Sequence, residues 1–110
     1  MPNYYALIPA AGFGSRMGGE TPKQYLSVLG KPLIHYAVAA LCSHAMISRD
    51  YVVLAPEDQL WKSYDWTAFV DKLKPLYCGG TERFESVRNG LDAIRDEVGF
   101  EDWVLVHDAA

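Results

Sequence analysis

Three short stretches of this chain gather the residue types that handle phosphate. The first runs Pro9-Ala10-Ala11-Gly12-Phe13-Gly14-Ser15-Arg16 and continues to Pro22-Lys23. Gly12 and Gly14 carry no Cβ, so backbone amides there can approach an anion closely. Arg16 offers a planar fork of donors that matches phosphate oxygens, and Lys23 adds a mobile point charge. Together they describe a cradle for a triphosphate. The glycine spacing is not that of the common phosphate loops. GxGxxG would place a glycine where Met17 stands, and a P-loop would need Lys-Ser/Thr after its last glycine, where Glu20 follows Gly19. Neither a dinucleotide fingerprint nor a Walker A loop is supported. The bland alternative is a glycine-rich turn flanked by solvated cations.

The second stretch is "CGGTERFESV", Cys78 to Val87. Gly79 and Gly80 again permit close backbone approach, Thr81 and Ser86 bring hydroxyls, and Arg83 brings a cation. A ligand base can be read by the backbone of Gly80 and Thr81 together with the Ser86 side chain. The competing reading is an ordinary helix start, with Thr81 as N-cap and Glu82 and Glu85 favouring the helix dipole. Both can hold at once, because a helix N-terminus is itself an anion site. The third stretch is "VLVHDAA". Asp108 follows an apolar run, and a carboxylate facing a phosphate cradle is a natural Mg²⁺ ligand. His107 points to the opposite side of the strand by the two-residue alternation and reads as structural. His35 and His44 suggest no ligand pair.

These stretches need elements that bring them together. "YYALIP", Tyr4 to Pro9, reads as a buried strand, followed by a loop from Ala10 to Pro22. "KQYLSVL" reads as a short helical or irregular piece closed by Gly30. Apolar residues at Leu33, Ile34, Ala37, Val38, Leu41 and Cys42 predict a helix within Lys31–Ile47, with Pro32 in its first turn. Asp50–Pro56 is β-branched and apolar after Asp50, as a strand buried on both faces should be. A second, less regular helix is predicted in "EDQLWKSYDWTAFVDKL". "KPLYCGG" is then a third strand, Thr81–Val98 a third helix, and "DWVLVHDAA" a fourth strand. This alternation predicts a parallel sheet with right-handed crossovers and helices on both faces. In such α/β sheets ligands sit outside the carboxyl ends of the strands, where all three stretches fall.

Composition excludes several classes. Half of the 110 residues are hydrophobic and the net charge is −4. A core can form, and the basic surplus of a nucleic-acid binder is missing. No apolar run approaches the ~20 residues of a membrane span, and no leader peptide is visible, which together predict a cytoplasmic protein. Cys42 reads as a small core residue and Cys78 as a strand-end residue. They form no CxxC pair, so neither a disulfide nor a thiolate metal site is expected.

"PAAGFGSRMG…PKQY", "GGTERFESV" and "VHDAA", in this order, with "GKPLIHYAV" after the first, closely resemble the 2-C-methyl-D-erythritol 4-phosphate cytidylyltransferase family of the non-mevalonate isoprenoid pathway. The resemblance runs from about Tyr5 to the last residue. It implies a three-layer α/β sandwich with a mainly parallel sheet, the Rossmann-like nucleotidyltransferase fold, of which residues 1–110 form the N-terminal part of one domain. It implies an enzyme that joins CTP to methylerythritol 4-phosphate, giving CDP-methylerythritol and pyrophosphate. By resemblance, the loop Pro9–Arg16, including Gly12, Gly14 and Ser15, wraps the triphosphate. Arg16 and Lys23 match the catalytic cations, and Ala10, Ala11, Gly80, Thr81 and Ser86 match positions that hold cytosine and ribose. Asp108 matches the Mg²⁺ carboxylate, and Arg83 lies in the second motif.

In the family the third motif continues into Arg-Pro, whereas this chain ends at Ala110. The remaining half of the family's chains supplies further strands, much of the methylerythritol-phosphate pocket, another active-site lysine and an arm that clasps a second subunit. The chain thus reads as a piece of a longer, homodimeric enzyme, and a strand edge with an apolar face is expected to be uncovered. Rival readings are a ribitol 5-phosphate cytidylyltransferase, a guanylyl- or uridylyltransferase sharing the first loop, an inactive CTP-binding module, and an α/β domain whose glycines only make turns.

Overall fold

The computed structural model describes residues 2–12 and 22–109. In chain order it contains β1 (Tyr4–Pro9), the two-residue strands β2 (Ser27–Val28) and β3 (Lys31–Pro32), helix α1 (Leu33–Cys42), β4 (Ile47–Val53), β5 (Leu73–Leu76), helix α2 (Arg83–Ala93) and β6 (Trp103–Val106). The four longer strands form one parallel sheet in the order β5-β4-β1-β6. The chain steps outward from β1 to β4 and β5, then crosses back to lay β6 on the other side of β1. The strand order therefore reverses beside β1, which makes a ligand crevice at the carboxyl ends of β1 and β6.

The alternation of side chains along β1 and β4 builds a core on each face. Tyr5 and Leu7 of β1 join Tyr51 and Val53 of β4 and Ile94 under α2. Ile8, Val52 and Leu54 face the other way, onto Ile34, Val38 and Cys42 of α1. Both strands are buried on both faces, hence their continuous apolar runs. Burying a side chain the size of Leu7 or Ile8, both fully covered, contributes roughly 1.5–3 kcal/mol. Gly90 lets α2 lie flat on this sheet, because a Cβ there would come within 2.6 Å of Val53 Cγ2 and 2.9 Å of Leu7 Cδ1.

Several expected boundaries move for local reasons. The helix expected after Pro56 is replaced by two single turns of 3₁₀-helix, Trp61–Ser63 and Thr67–Phe69. Asp58 Oδ1 accepts from the N–H groups of Leu60 and Trp61, and Asp65 Oδ1 accepts from the N–H and hydroxyl of Thr67. Such side-chain acceptors compete with helix propagation. Trp61 and Trp66 then stack with ring centres 4.0 Å apart. Helix α1 starts at Leu33 because Lys31–Pro32 is extended and pairs with Ser27–Val28. Leu29 (φ 53°) and Gly30 (φ 84°) make the turn between them, a two-residue hairpin with both central residues left-handed. Helix α2 starts at Arg83 with Glu82, not Thr81, as N-cap. Glu85 turns back to accept from the N–H groups of both Glu82 and Thr81 at 2.9 Å, the return half of a capping box. The helix ends at Ala93, well before Val98.

Both cysteines are free thiols. Burial, with the Asp50 carboxylate beside it, pushes the Cys42 thiol up to about 12, and burial raises that of Cys78. Neither is poised to react. Among the described residues no helix is long and apolar enough to cross a membrane. An apolar cavity of about 270 Å³ lies between Trp61, Trp66, Val70, Leu73 and Pro75. It sits by β5 and contains none of the residues expected to do chemistry.

Candidate functional site at the reversal of strand order

The carboxyl end of β1 is the centre of the site. After Pro9 the chain leaves the sheet through Ala10, whose N–H donates to Val53 O at 2.7 Å. Ala10 and Ala11 are buried, and Gly12 is exposed. The expected residues Gly14, Ser15 and Arg16 lie outside the described residues. Lys23 opens a single 3₁₀ turn, Lys23–Tyr25, and is exposed. That turn is joined to the β1 exit by Gln24, whose side-chain amide donates to Ala10 O at 2.9 Å and to Gly12 O at 3.0 Å. Lys23 is therefore held beside the backbone of the glycine loop.

The second stretch arrives from β5. Gly79 donates its N–H to Leu54 O at 2.8 Å, and a Cβ on Gly79 would collide with the Cβ of Ala11. Glycine is needed at Gly79 for this close approach, and it seats the second stretch directly on the first. Gly80 N–H donates to Ser86 Oγ at 3.1 Å, and Thr81 N–H donates to Glu85. Both backbone donors that the sequence offers to a base are thus spent on the first turn of α2. Ser86 is itself buried. What this segment leaves for a ligand is its carbonyl oxygens and the exposed hydroxyl of Thr81, while the Ser86 hydroxyl is committed to Gly80.

The third stretch leaves β6 beside β1, with His107 N–H on Leu7 O at 3.0 Å. Asp108 then turns outward, and Ala109 is buried in the α1-side core. Asp108 Oδ1 accepts from Arg83, 3.0 Å from both Nε and a terminal nitrogen. This pair ties the start of α2 to the end of β6 across the crevice. Both partners are more than half exposed, so the pair contributes little stability and can open. His107 Nδ1 lies 2.7 Å from the carbonyl oxygen of Asp108, a local contact that fits a structural role.

The structure accordingly brings together Pro9, Ala10, Ala11, Gly12, Lys23, Gly80, Thr81, Arg83, Ser86 and Asp108, drawn from three strand ends and one helix start. The close approach expected at Gly79 is made against Ala11 and is tighter than that at Gly80. A residue of the cluster that escapes a reading of the sequence is Gln24. It is an uncharged residue in a lysine motif, and only its burial to 7% exposure reveals it. A carboxylate as exposed as Asp108 can serve a cation that takes most of its ligands from phosphate and water. Among the described residues no group of three or more His, Cys, Asp or Glu is arranged to hold a metal alone.

Comparison with known proteins bears on this arrangement. The family model for IspD, 2-C-methyl-D-erythritol 4-phosphate cytidylyltransferase, matches residues 4–110. Curated relatives of that name are 55% identical in Nitrosospira multiformis and 54% identical in Dechloromonas aromatica, each match covering 100% of this chain and 48% of the relative. Among solved structures, a 4-diphosphocytidyl-2C-methyl-D-erythritol synthase superposes with a TM-score of 0.82 at 30% identity, covering 100% of this chain and 47% of that one. A CMP:2-keto-3-deoxy-manno-octonic acid synthetase complexed with CTP superposes at 0.65 with 17% identity, covering 97% and 40%, a likeness of fold. The chain spans about half the length of the curated relatives it matches. With the family model matched over nearly its whole length, the chain belongs to the 2-C-methyl-D-erythritol 4-phosphate cytidylyltransferase family.

Proposed function

We propose that the protein transfers CMP from CTP to the phosphate of 2-C-methyl-D-erythritol 4-phosphate. The observation that carries this reading is the meeting of the β1 exit, Lys23, the Gly79–Ser86 segment and Asp108 at the one place where the strand order reverses. An oxygen of the acceptor phosphate attacks the α-phosphorus of CTP. The bond from that phosphorus to the bridging oxygen breaks, and the electron pair leaves with pyrophosphate. Anion attacks anion, so the protein's work is to hold both and to offset charge gathering on the α-phosphoryl oxygens. Lys23 takes that part, and Arg16 is assigned the same role from its place in the first motif of the sequence.

The base is read by acceptors. With the N–H groups of Gly80 and Thr81 already engaged, their carbonyl oxygens are what a pyrimidine edge meets. Cytosine presents an amino donor where uracil presents a carbonyl. The segment therefore favours CTP over UTP.

Asp108 is the residue that would hold Mg²⁺, together with the triphosphate, and the Arg83 pair opens when it does. The ion would supply positive charge to the triphosphate oxygens. The reading includes action in the cytoplasm and pairing of full-length subunits, as the sequence leads one to expect. The relatives' names favour methylerythritol phosphate over ribitol 5-phosphate.

The test is pyrophosphate release from CTP, measured for this chain alone and for the chain extended to the length of its relatives. Release that requires both CTP and methylerythritol 4-phosphate is expected from the extended form. Release without the acceptor, or none from a folded extended form, would overturn the proposal.

A further inference from the structure

Gln24 is the residue in this cluster whose placement most needs a reason. It is buried to 7% exposure in a turn otherwise devoted to presenting Lys23. An apolar side chain of the same length would fill the volume without desolvating an amide. Both amide hydrogens are instead spent on main-chain oxygens, Ala10 O at 2.9 Å and Gly12 O at 3.0 Å. These oxygens belong to the segment where β1 has left the sheet and strand partners no longer hold it. On the strand side, Ala10 N–H is taken by Val53 O.

Covalent geometry adds two consequences. A trans peptide points its C=O and N–H in opposite directions, and no peptide among the described residues is cis. With Ala10 O turned to Gln24, the N–H of Ala11 is turned away from it. In addition, Gly12 and Gln24 flank the stretch of sequence that carries Gly14, Ser15 and Arg16. One side chain thus joins Gly12 to the Lys23 turn.

The turn that carries Gln24 is fixed from behind. Tyr25 donates its hydroxyl to Asp58 Oδ2 at 2.7 Å and stacks on Tyr64 with centroids 5.8 Å apart. Asp58 is held in turn by the N–H groups of Leu60 and Trp61. Leu33 N–H donates to Leu26 O at 2.8 Å, tying the turn to the start of α1. The anchor, Tyr25, is part of the core.

We propose that Gln24 is a positioning residue that ties the Lys23 turn to the Ala10–Gly12 backbone at the end of β1 and so sets Lys23 against it. It touches no substrate and acts through those carbonyls. The proposal rests on reading the loop as a nucleotide cradle, and its test has one arm that does not depend on that reading.

The variants are Gln24→Met, which keeps length and volume and donates nothing, and Gln24→Glu, which replaces the donors with lone pairs. The first arm is amide hydrogen exchange without nucleotide. In Gln24→Met, protection at Ala10 and Tyr25 should fall while Leu7 and Val52 keep theirs. The second arm is CTP titration with Mg²⁺, where affinity should fall about tenfold or more for two lost hydrogen bonds. For Gln24→Glu, the deficit relative to the parent should shrink as pH falls from 8 to 5, because a protonated carboxyl regains one donor. For Gln24→Met the deficit should stay flat with pH. A residue that only fills space would show neither pattern.

Unchanged exchange at Ala10 and Tyr25 would overturn the proposal, whatever CTP does. So would CTP affinity within twofold of the parent. Loss of the cooperative melt in both variants would make Gln24 a folding residue and overturn it as well. A parent that binds no CTP would sink the nucleotide reading, while the exchange arm would still decide for or against the clamp.

Discussion

At the scale of single residues, the site divides into groups that meet the ligand and groups that hold them. Lys23 is exposed at the head of a rigid turn, so its charge is free to be spent on a phosphate. Lys23→Ala should lower kcat on the order of 10²-fold, the usual cost of one preorganised donor at a developing charge. Its melting temperature should match the parent's, since the side chain packs against nothing that matters to the core. A kcat within twofold of the parent would remove Lys23 from the reaction. Arg83 and Asp108 were legible in the sequence as separate cation and carboxylate, but their pairing was not. It depends on α2 and β6 lying side by side at their ligand ends, a long-range fact. Gly79 was legible as a point of close approach, but what it approaches was not, for a similar reason. Its need for glycine comes from Ala11, far away in sequence, and no local pattern records that.

At the scale of elements, β4 carries the most unusual choice in the fold. Asp50 lies in its middle with no exposed surface. Its Oδ2 accepts only a long contact of 3.6 Å from Cys42 Sγ, and Oδ1 has no partner among the described residues. Burial pushes its carboxyl up to about 7 from an ordinary value of 3.8. The folded chain therefore holds a proton that the unfolded chain has released between those two values. Stability is full below about pH 4 as far as this group is concerned, falls as pH rises, and is lowest above pH 7. The whole fall is roughly 4 kcal/mol at most. Asp50→Asn should raise the melting temperature at pH 8 and flatten its dependence on pH between 4 and 7. A variant that melts with the same pH slope as the parent would show that the carboxyl titrates normally. The strands and both helices were legible from apolar periodicity, and β1, β4 and α1 bury most of what their patterns say they bury, whereas α2 leaves Phe84 and Leu91 exposed and packs through Ser86 and Gly90 instead. The failed helix after Pro56 shows where that signal stops. Asp58 and Asp65 take backbone donors for themselves, and stacked tryptophans replace a helical face.

At the scale of the whole molecule, the sheet ends on β6, and that edge is apolar. Trp103, Leu105 and Val106 are all exposed there. The register places Trp103 and Leu105 on the α1 side of the sheet, level with Tyr4 and Ala6, where no helix among the described residues covers them. An uncovered apolar edge strand invites pairing with a second chain. The 110-residue chain should self-associate with rising concentration in light scattering, and Leu105→Lys should suppress this without lowering the melting temperature. A parent that stays monodisperse at high concentration would contradict it. The uncovered edge was foreseeable, since the resemblance leads one to expect more sheet than 110 residues supply.

The proposed function requires that these loops bind a cytidine nucleotide. The most direct test is calorimetric titration of the chain with CTP, UTP and GTP in the presence of Mg²⁺. We predict that CTP binds and that UTP and GTP bind at least tenfold more weakly, the discrimination available from one reversed hydrogen bond. Equal affinity for all three, or no CTP binding by a chain that melts cooperatively, would contradict the account.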